Sequence, residues 1–253
     1  MGKFDGILLA TDLDGTLLKT DKTVSVENAE AIRYFQREGG VFTVATGRYP
    51  DFLLNYADSF KVNESVIALN GNLIYDLSNS KTHFVSKTNR TSLKSVLDYA
   101  LSAFENDIQF VDINDETESY VYEGSLKRDV CKCVIVASDA SAALRIKADL
   151  RANYGDLYKV VRSWDTGLEI YDINSGKGEC IEYIRRNINP NISKTVCVGD
   201  YENDISMLEL ADIGYAVKNA APDAIKAADK ITGVDNENHA IAWVIYDLEK
   251  EGL

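Results

Sequence analysis

Five short apolar runs constrain this chain more than any other feature. They are ILLAT (7–11), VFTVAT (41–46), SVIALNG (65–71), KTVCVGD (194–200) and DIGYAV (212–217). Each is almost uninterrupted in its apolar residues. Strands read that way when both faces of their sheet are covered, which is the habit of parallel sheets. Helical stretches separate the runs. Residues 26–38 place Ala29, Ile32, Tyr34 and Phe35 on an approximate apolar face and stop at Gly39-Gly40. A second helical segment carries Phe52, Leu53 and Tyr56, and further helices are expected over 179–187, 204–211, 222–228 and 240–248. Strand, helix, strand in repetition predicts an α/β fold with a doubly wound, mostly parallel sheet.

The rhythm breaks in the middle of the chain. Residues 90–104 and 140–151 read as helices. Strand-like runs near 108–112, 118–122, 132–137, 157–162 and 168–173 include several that alternate as one-sided antiparallel strands do. The expected organisation is therefore a core built from residues 1–80 and 174–253, interrupted by an α+β insert over 81–173. The turn-rich stretches DLSNSKTH and INSGKG mark the two crossings.

Composition narrows the function. With 253 residues, 45% of them hydrophobic, there is enough for one large core or two smaller ones. The net charge of -13 argues against nucleic acid or an anionic membrane as a partner. It leaves room for a small anionic substrate, since a local basic group or a metal reverses the sign. The apolar part of the N-terminal stretch is too short for a signal peptide or a membrane span, so a cytoplasmic location is expected. Four cysteines include no CxxC pair, which favours reduced buried thiols over structural zinc. No exposed apolar stripe or coiled-coil repeat specifies an oligomeric state.

Polar residues of one chemical kind stand where the runs end. Asp12 and Asp14 follow the first. Thr46, Gly47 and Arg48 end the second, and Asn70-Gly71 the third. Gly199-Asp200 closes the fourth, with Glu202, Asn203 and Asp204 just behind, and Lys177 opens the preceding helix. In a doubly wound sheet such ends share one crevice. Clustered aspartates repel one another and take up protons. A hard cation relieves this, and oxygen donors in a chain with two histidines favour Mg²⁺. A phosphate would offer oxygens to the cation, the lysine, the hydroxyl and turn amides. One carboxylate can attack phosphorus, and another two residues on can protonate the leaving oxygen and then deprotonate water. Singly, each residue has a plainer use as a turn former, a helix cap or a solvated charge. The weight lies in the set.

DLDGTL (12–17), VATGR (44–48), SGKGE (175–179) and VGDYENDISML (198–208) resemble, in order, the four motifs of the haloacid-dehalogenase-like phosphatase superfamily. The last of these, continued by VKNAAPDAIKAAD (217–229), is similar to its Cof-type subfamily. The resemblance implies a Rossmann-like core with an inserted C2B-type α+β cap. It implies a Mg²⁺-dependent phosphomonoester hydrolase acting on small phosphorylated metabolites, sugar phosphates among them. Asp12 would be nucleophile and metal ligand. Asp14 would be general acid/base, with its carbonyl on the metal. Thr46 and Lys177 would hold phosphoryl oxygens, supported by Gly47, Arg48, Asn70 and Asn203, and Asp200 and Asp204 would complete the metal site. A phosphotransferase or phosphosugar mutase shares this chemistry. A non-catalytic metabolite-binding regulator is disfavoured because Asp12, Asp14 and Lys177 are all present. Two departures stand out: Tyr201 occupies a position often held by a small residue, and Asn238-His239 replaces a usual glycine. In the insert, Lys127, Arg128, Trp164 and Asp165 are the residues that could meet a leaving group, although surface or core uses weigh more for each.

Overall fold

The computed structural model describes residues 2–252 and divides into two compact units, Met1–His83 with Gly176–Leu253, and Phe84–Ser175. In the first unit, β1 (Ile7–Thr11) is fully buried and leads through α1 (Val26–Arg37) to β2 (Val41–Val44). Ser25 starts α1 by accepting the Asn28 N–H at 3.2 Å, as an N-cap should. The third apolar run is a shorter strand than its sequence suggests: β3 spans only Val66–Ala68 and turns back at once to pair antiparallel with β4 (Leu73–Asp76). Its link to the parallel sheet is a single bridge, Ala45 to Ile67. The turn chemistry of Asn70-Gly71 outweighs the apolar run and folds it into a hairpin rather than a full parallel strand. β5 (Lys81–Val85) follows and crosses the boundary between the units.

The second unit holds α2 (Arg90–Ala103), β6 (Ile108–Asn114), β7 (Ser119–Val121), β8 (Lys132–Ala137), α3 (Ala140–Tyr154), β9 (Tyr158–Trp164) and β10 (Gly167–Asp172). Its five strands form an antiparallel sheet in the order β7-β6-β8-β10-β9. Period-two alternation sends Val111, Ile113, Cys133, Ile135, Leu168 and Ile170 into one core with α2 and α3. Lys132 and Glu169, on adjacent strands, form a buried ion pair at 2.6 Å.

The chain then resumes the parallel pattern with α4 (Lys177–Tyr183), β11 (Lys194–Gly199), α5 (Ile205–Leu210), β12 (Ile213–Ala216), α6 (Pro222–Ala227), β13 (Lys230–Ile231) and α7 (Ala240–Lys250). β13 has no counterpart in the apolar runs, because two residues at a sheet edge leave no periodic signal. The parallel sheet has the order β13-β12-β11-β1-β2. From β1 the chain steps outward to β2, and on its return it starts beside β1 at β11 and steps the other way. Right-handed crossovers in opposite directions put helices on both faces. The reversal makes the gap between the carboxyl ends of β1 and β11 the natural ligand crevice. α1 and α7 are stitched together where the buried Asn28 side chain accepts the Ala242 N–H at 2.9 Å.

All four cysteines are buried thiols outside any disulfide, and Cys180 donates to Gly71 O at 3.0 Å. Burial pushes the Cys131 thiol up to about 12, so it is not a ready nucleophile. His239 begins α7 in the left-handed region (φ 65°), the conformation a glycine adopts without cost. Among the described residues, no helix is long and apolar enough to cross a membrane.

Candidate active site

Asp12 is the first residue beyond β1, and its N–H donates to Val198 O at 2.9 Å, fastening it to β11. Gly15 then turns the chain with φ 84°. A Cβ at Gly15 would stand 2.5 Å from Asp200 Oδ2, so glycine is required here both for its backbone angle and for the approach of Asp200. Thr16 closes the same turn by donating its hydroxyl to Asp200 Oδ1 at 2.8 Å. Two segments nearly 190 residues apart are thereby joined at the carboxyl ends of neighbouring strands.

Lys177 lies at the first position of α4 and is fully buried. Its Nζ donates to Asp12 Oδ1 and Asp204 Oδ1, both at 2.6 Å. Removing an ammonium from water costs several kcal/mol, about as much as two close carboxylates can return. Despite burial, Asp12 and Asp204 hold this lysine above its ordinary value, so it stays charged. Asp204 is committed on both oxygens, because Oδ2 accepts the N–H groups of Asp200 and Tyr201 at 2.9 and 3.0 Å. Tyr201 thus contributes its backbone here.

Asp12, Asp200 and Asp204 each bring a carboxylate oxygen to within 4.8 Å of the others. One lysine against three carboxylates leaves two negative charges uncompensated. Burial, opposed by Lys177 and reinforced by Asp204, raises Asp12 well above the ordinary carboxylate value. Burial, with the Asp204 charge behind it, pushes Asp200 up to about 7. An all-oxygen donor set with an excess of two charges fits a small hard dication such as Mg²⁺.

Thr46 is buried just past β2. Its Oγ1 accepts the Arg48 N–H at 3.2 Å, and its carbonyl accepts the Asn70 N–H at 2.9 Å. Leu69, Asn70 and Gly71 follow one another with φ of 51°, 55° and 90°. Left-handed non-glycine residues cost on the order of 1–3 kcal/mol each and persist only where the surroundings enforce them. Here Leu69 N–H donates to Arg48 O at 3.1 Å, and a Cβ at Gly71 would lie 2.1 Å from the Gly176 carbonyl carbon. The loop after β3 is therefore pressed against the residue that precedes Lys177. Asn70 Oδ1 accepts from Asn203 Nδ2 at 3.1 Å, while buried Asn203 Oδ1 meets no donor among the described residues. Gly47 lies in this group too: a Cβ there would come 3.3 Å from the Asn70 amide.

Asp14 is partly exposed, unlike the buried Asp12. Arg48 Nε donates to its Oδ2 at 2.7 Å and Lys22 Nζ to its Oδ1 at 2.6 Å. Against the cost of burial, Arg48 and then Lys22 hold Asp14 below the ordinary value. Arg48 stacks on Phe52 with its guanidinium carbon 4.2 Å from the ring centre. Its second guanidinium nitrogen donates to Asp14 Oδ1 at 3.2 Å, so the Arg48 fork spans both carboxylate oxygens. Thr16 lies inside DLDGTL without a role read from it, and Lys22 has no sequence signature, since loop shape alone brings it to Asp14.

The sequence profile of the haloacid dehalogenase-like hydrolase family matches residues 9–128 and 114–245. The chain is 25% identical over 284 residues to phosphatase YwpJ of Bacillus subtilis, covering 95% of this chain and 99% of the relative. It is also 25% identical over 232 residues to the 5-amino-6-(5-phospho-D-ribitylamino)uracil phosphatase YcsE of the same organism, covering 91% of each. In fold it is similar to a HAD/COF-like hydrolase from Plasmodium vivax, with a TM-score of 0.82, 21% identity, and 99% and 97% of the two chains covered. A profile match along nearly the whole chain, together with the buried aspartate cluster at the β1 and β11 ends, makes the protein an enzyme of the haloacid dehalogenase-like hydrolase family.

Proposed function

We propose that this protein is a Mg²⁺-dependent phosphomonoester hydrolase acting on small phosphorylated metabolites, with sugar phosphates as the expected substrates. The observation that carries the reading is the buried Lys177, bonded at once to Asp12 and Asp204 beside Asp200. Asp12 attacks phosphorus to form an aspartyl-phosphate. Lys177 steadies the Asp12 carboxylate and, with the Thr46 hydroxyl and the turn amides near Gly47, receives the phosphoryl oxygens. Asp14 gives a proton to the leaving oxygen and then takes one from the water that cleaves the intermediate. Asn203 braces Asn70 beneath the site. Asp12, Asp200 and the Asp14 carbonyl would hold the cation, with Asp204 ordering the Asp200 loop. When bound, the cation neutralises charge on the transferred phosphoryl group.

Residues 81–173 would serve as the cap that covers the leaving group. The name of the relative YcsE contains a phosphorylated ribityl chain. That supports a polyhydroxylated leaving group here. The test is inorganic phosphate release from a panel of sugar phosphates, with Mg²⁺ and with EDTA. Release that needs Mg²⁺ is expected. Transfer of the phosphoryl group to a sugar hydroxyl, with no free phosphate, would replace hydrolase by phosphotransferase. A panel wholly without turnover would count against both.

A pH dependence follows from Asp200. Its native value of about 7 lies above its ordinary 3.8, so between these the native protein binds the extra proton. In metal-free protein its contribution to stability therefore falls as pH rises through that window. A cation must displace the proton, so Mg²⁺ affinity should weaken below pH 7, by up to about tenfold per pH unit. The rise in melting temperature on adding Mg²⁺ is expected to be larger at pH 8 than at pH 6. An equal rise at both would show that Asp200 is not the competing group.

A further inference from the structure

Lys22 is an exposed lysine eight residues after Asp14, in a turn that joins β1 to α1. Its backbone is left-handed, with φ 62°, which a lysine adopts only under constraint. The constraint is visible. Lys19 N–H donates to Thr23 O at 3.0 Å and Lys22 N–H to Lys19 O at 2.9 Å. Asp21 Oδ1 accepts both the N–H and the hydroxyl of Thr23, and the Thr20 N–H donates to Glu237 at 2.6 Å. The turn is thus tied at its base and its tip. The side-chain contact it delivers is the 2.6 Å bond from Lys22 Nζ to Asp14 Oδ1.

Arg48 alone does not fix that carboxylate evenly. Its Nε approaches Oδ2 at 2.7 Å, but its second nitrogen reaches Oδ1 only at 3.2 Å. Lys22 supplies the close contact to Oδ1 that Arg48 lacks. Arg48 is braced by Phe52, whereas Lys22 makes one contact through a flexible stem. Proton transfer to a leaving oxygen needs the carboxyl group held in place, and the close contact on Oδ1 is the one Lys22 makes.

We infer that Lys22 is a positioning residue for Asp14: it holds Oδ1 between turnovers and sets where the carboxyl group stands when the leaving oxygen needs its proton. This rests on the general-acid reading of Asp14 given above. In the step concerned, an Asp12 oxygen bonds to phosphorus as the bond from phosphorus to the leaving oxygen breaks. The departing electron pair takes the Asp14 proton. A phenolate leaves without that proton and an alkoxide does not, so the effect should depend on the leaving group.

The experiment compares kcat and KM for p-nitrophenyl phosphate and for a sugar phosphate turned over by the wild type, in Lys22→Met, Lys22→Arg and Asp14→Asn. For Lys22→Met the ratio of sugar-phosphate to aryl-phosphate kcat should fall about tenfold, a fraction of the roughly 10²–10⁴-fold that a general acid contributes. KM should change little, and Lys22→Arg should recover most of the ratio. If Asp14→Asn lowers the ratio but Lys22→Met does not, Lys22 has no part in positioning and the inference falls alone. If KM rises equally for both substrates with kcat intact, Lys22 binds phosphate instead, and the inference is again wrong. If Asp14→Asn leaves the ratio unchanged, the general-acid reading itself fails and takes the inference with it.

Discussion

Asp12→Asn should abolish turnover, with kcat reduced by at least about 10⁴-fold, because an amide cannot form the aspartyl-phosphate. The folded protein should survive the change. Asparagine has nearly the same shape, and Lys177 keeps its 2.6 Å bond to Asp204. The substitution also removes the burial cost of the Asp12 carboxylate and its repulsion with Asp204 and Asp200. Metal-free Asp12→Asn is therefore expected to melt no lower than wild type at pH 8. Phosphate-release assays and thermal melts together check this. Residual activity near the wild-type level would remove Asp12 from the chemistry, whereas an unfolded variant would mean that the Asp12–Lys177 bond carries more of the structure than the charge count implies.

Lys177→Met has the largest expected effect on stability. The substitution leaves Asp12 and Asp204 buried without their cation. Removing one member of a buried ion pair typically costs about 3–5 kcal/mol. The loss should be greatest near pH 8 in EDTA and smaller near pH 5, since protonation of the orphaned carboxylates relieves it. Mg²⁺ should restore part of the stability without restoring phosphate release, because the donor to the phosphoryl oxygens is gone. Urea unfolding at both pH values, with and without Mg²⁺, reads all of this. A loss that does not depend on pH would point to packing of the lysine stem rather than to charge.

The contrast between Asp12 and Asp14 shows how far the sequence reaches. Alternation along an extended chain lets both side chains face one side unless the turn at Gly15 rotates the second. In the folded protein Asp12 is buried against Lys177, and Asp14 is partly exposed between Arg48 and Lys22. The glycine that follows Asp14 turns the chain, and φ 84° at Gly15 is a local fact that only the surrounding loop selects. Similarly, SVIALNG has the composition of a buried parallel strand, yet three successive left-handed residues fold its end into a hairpin. Its strand part was legible from apolar character. Its partner was not, because pairing depends on which neighbour the turn delivers.

The sequence by itself determined the parallel α/β core, the antiparallel insert and the family, because the apolar periods of strands and helices and the four ordered motifs are properties of the chain alone. The tertiary structure decided which charges meet. It joined Asp12 to Lys177 across 165 positions and Thr16 to Asp200 across 184, and it brought Lys22 to Asp14 through a strained turn. Charge and hydrogen bonding act over a few ångströms in space, and position along a chain does not report that distance until the sheet order and the loop angles are set.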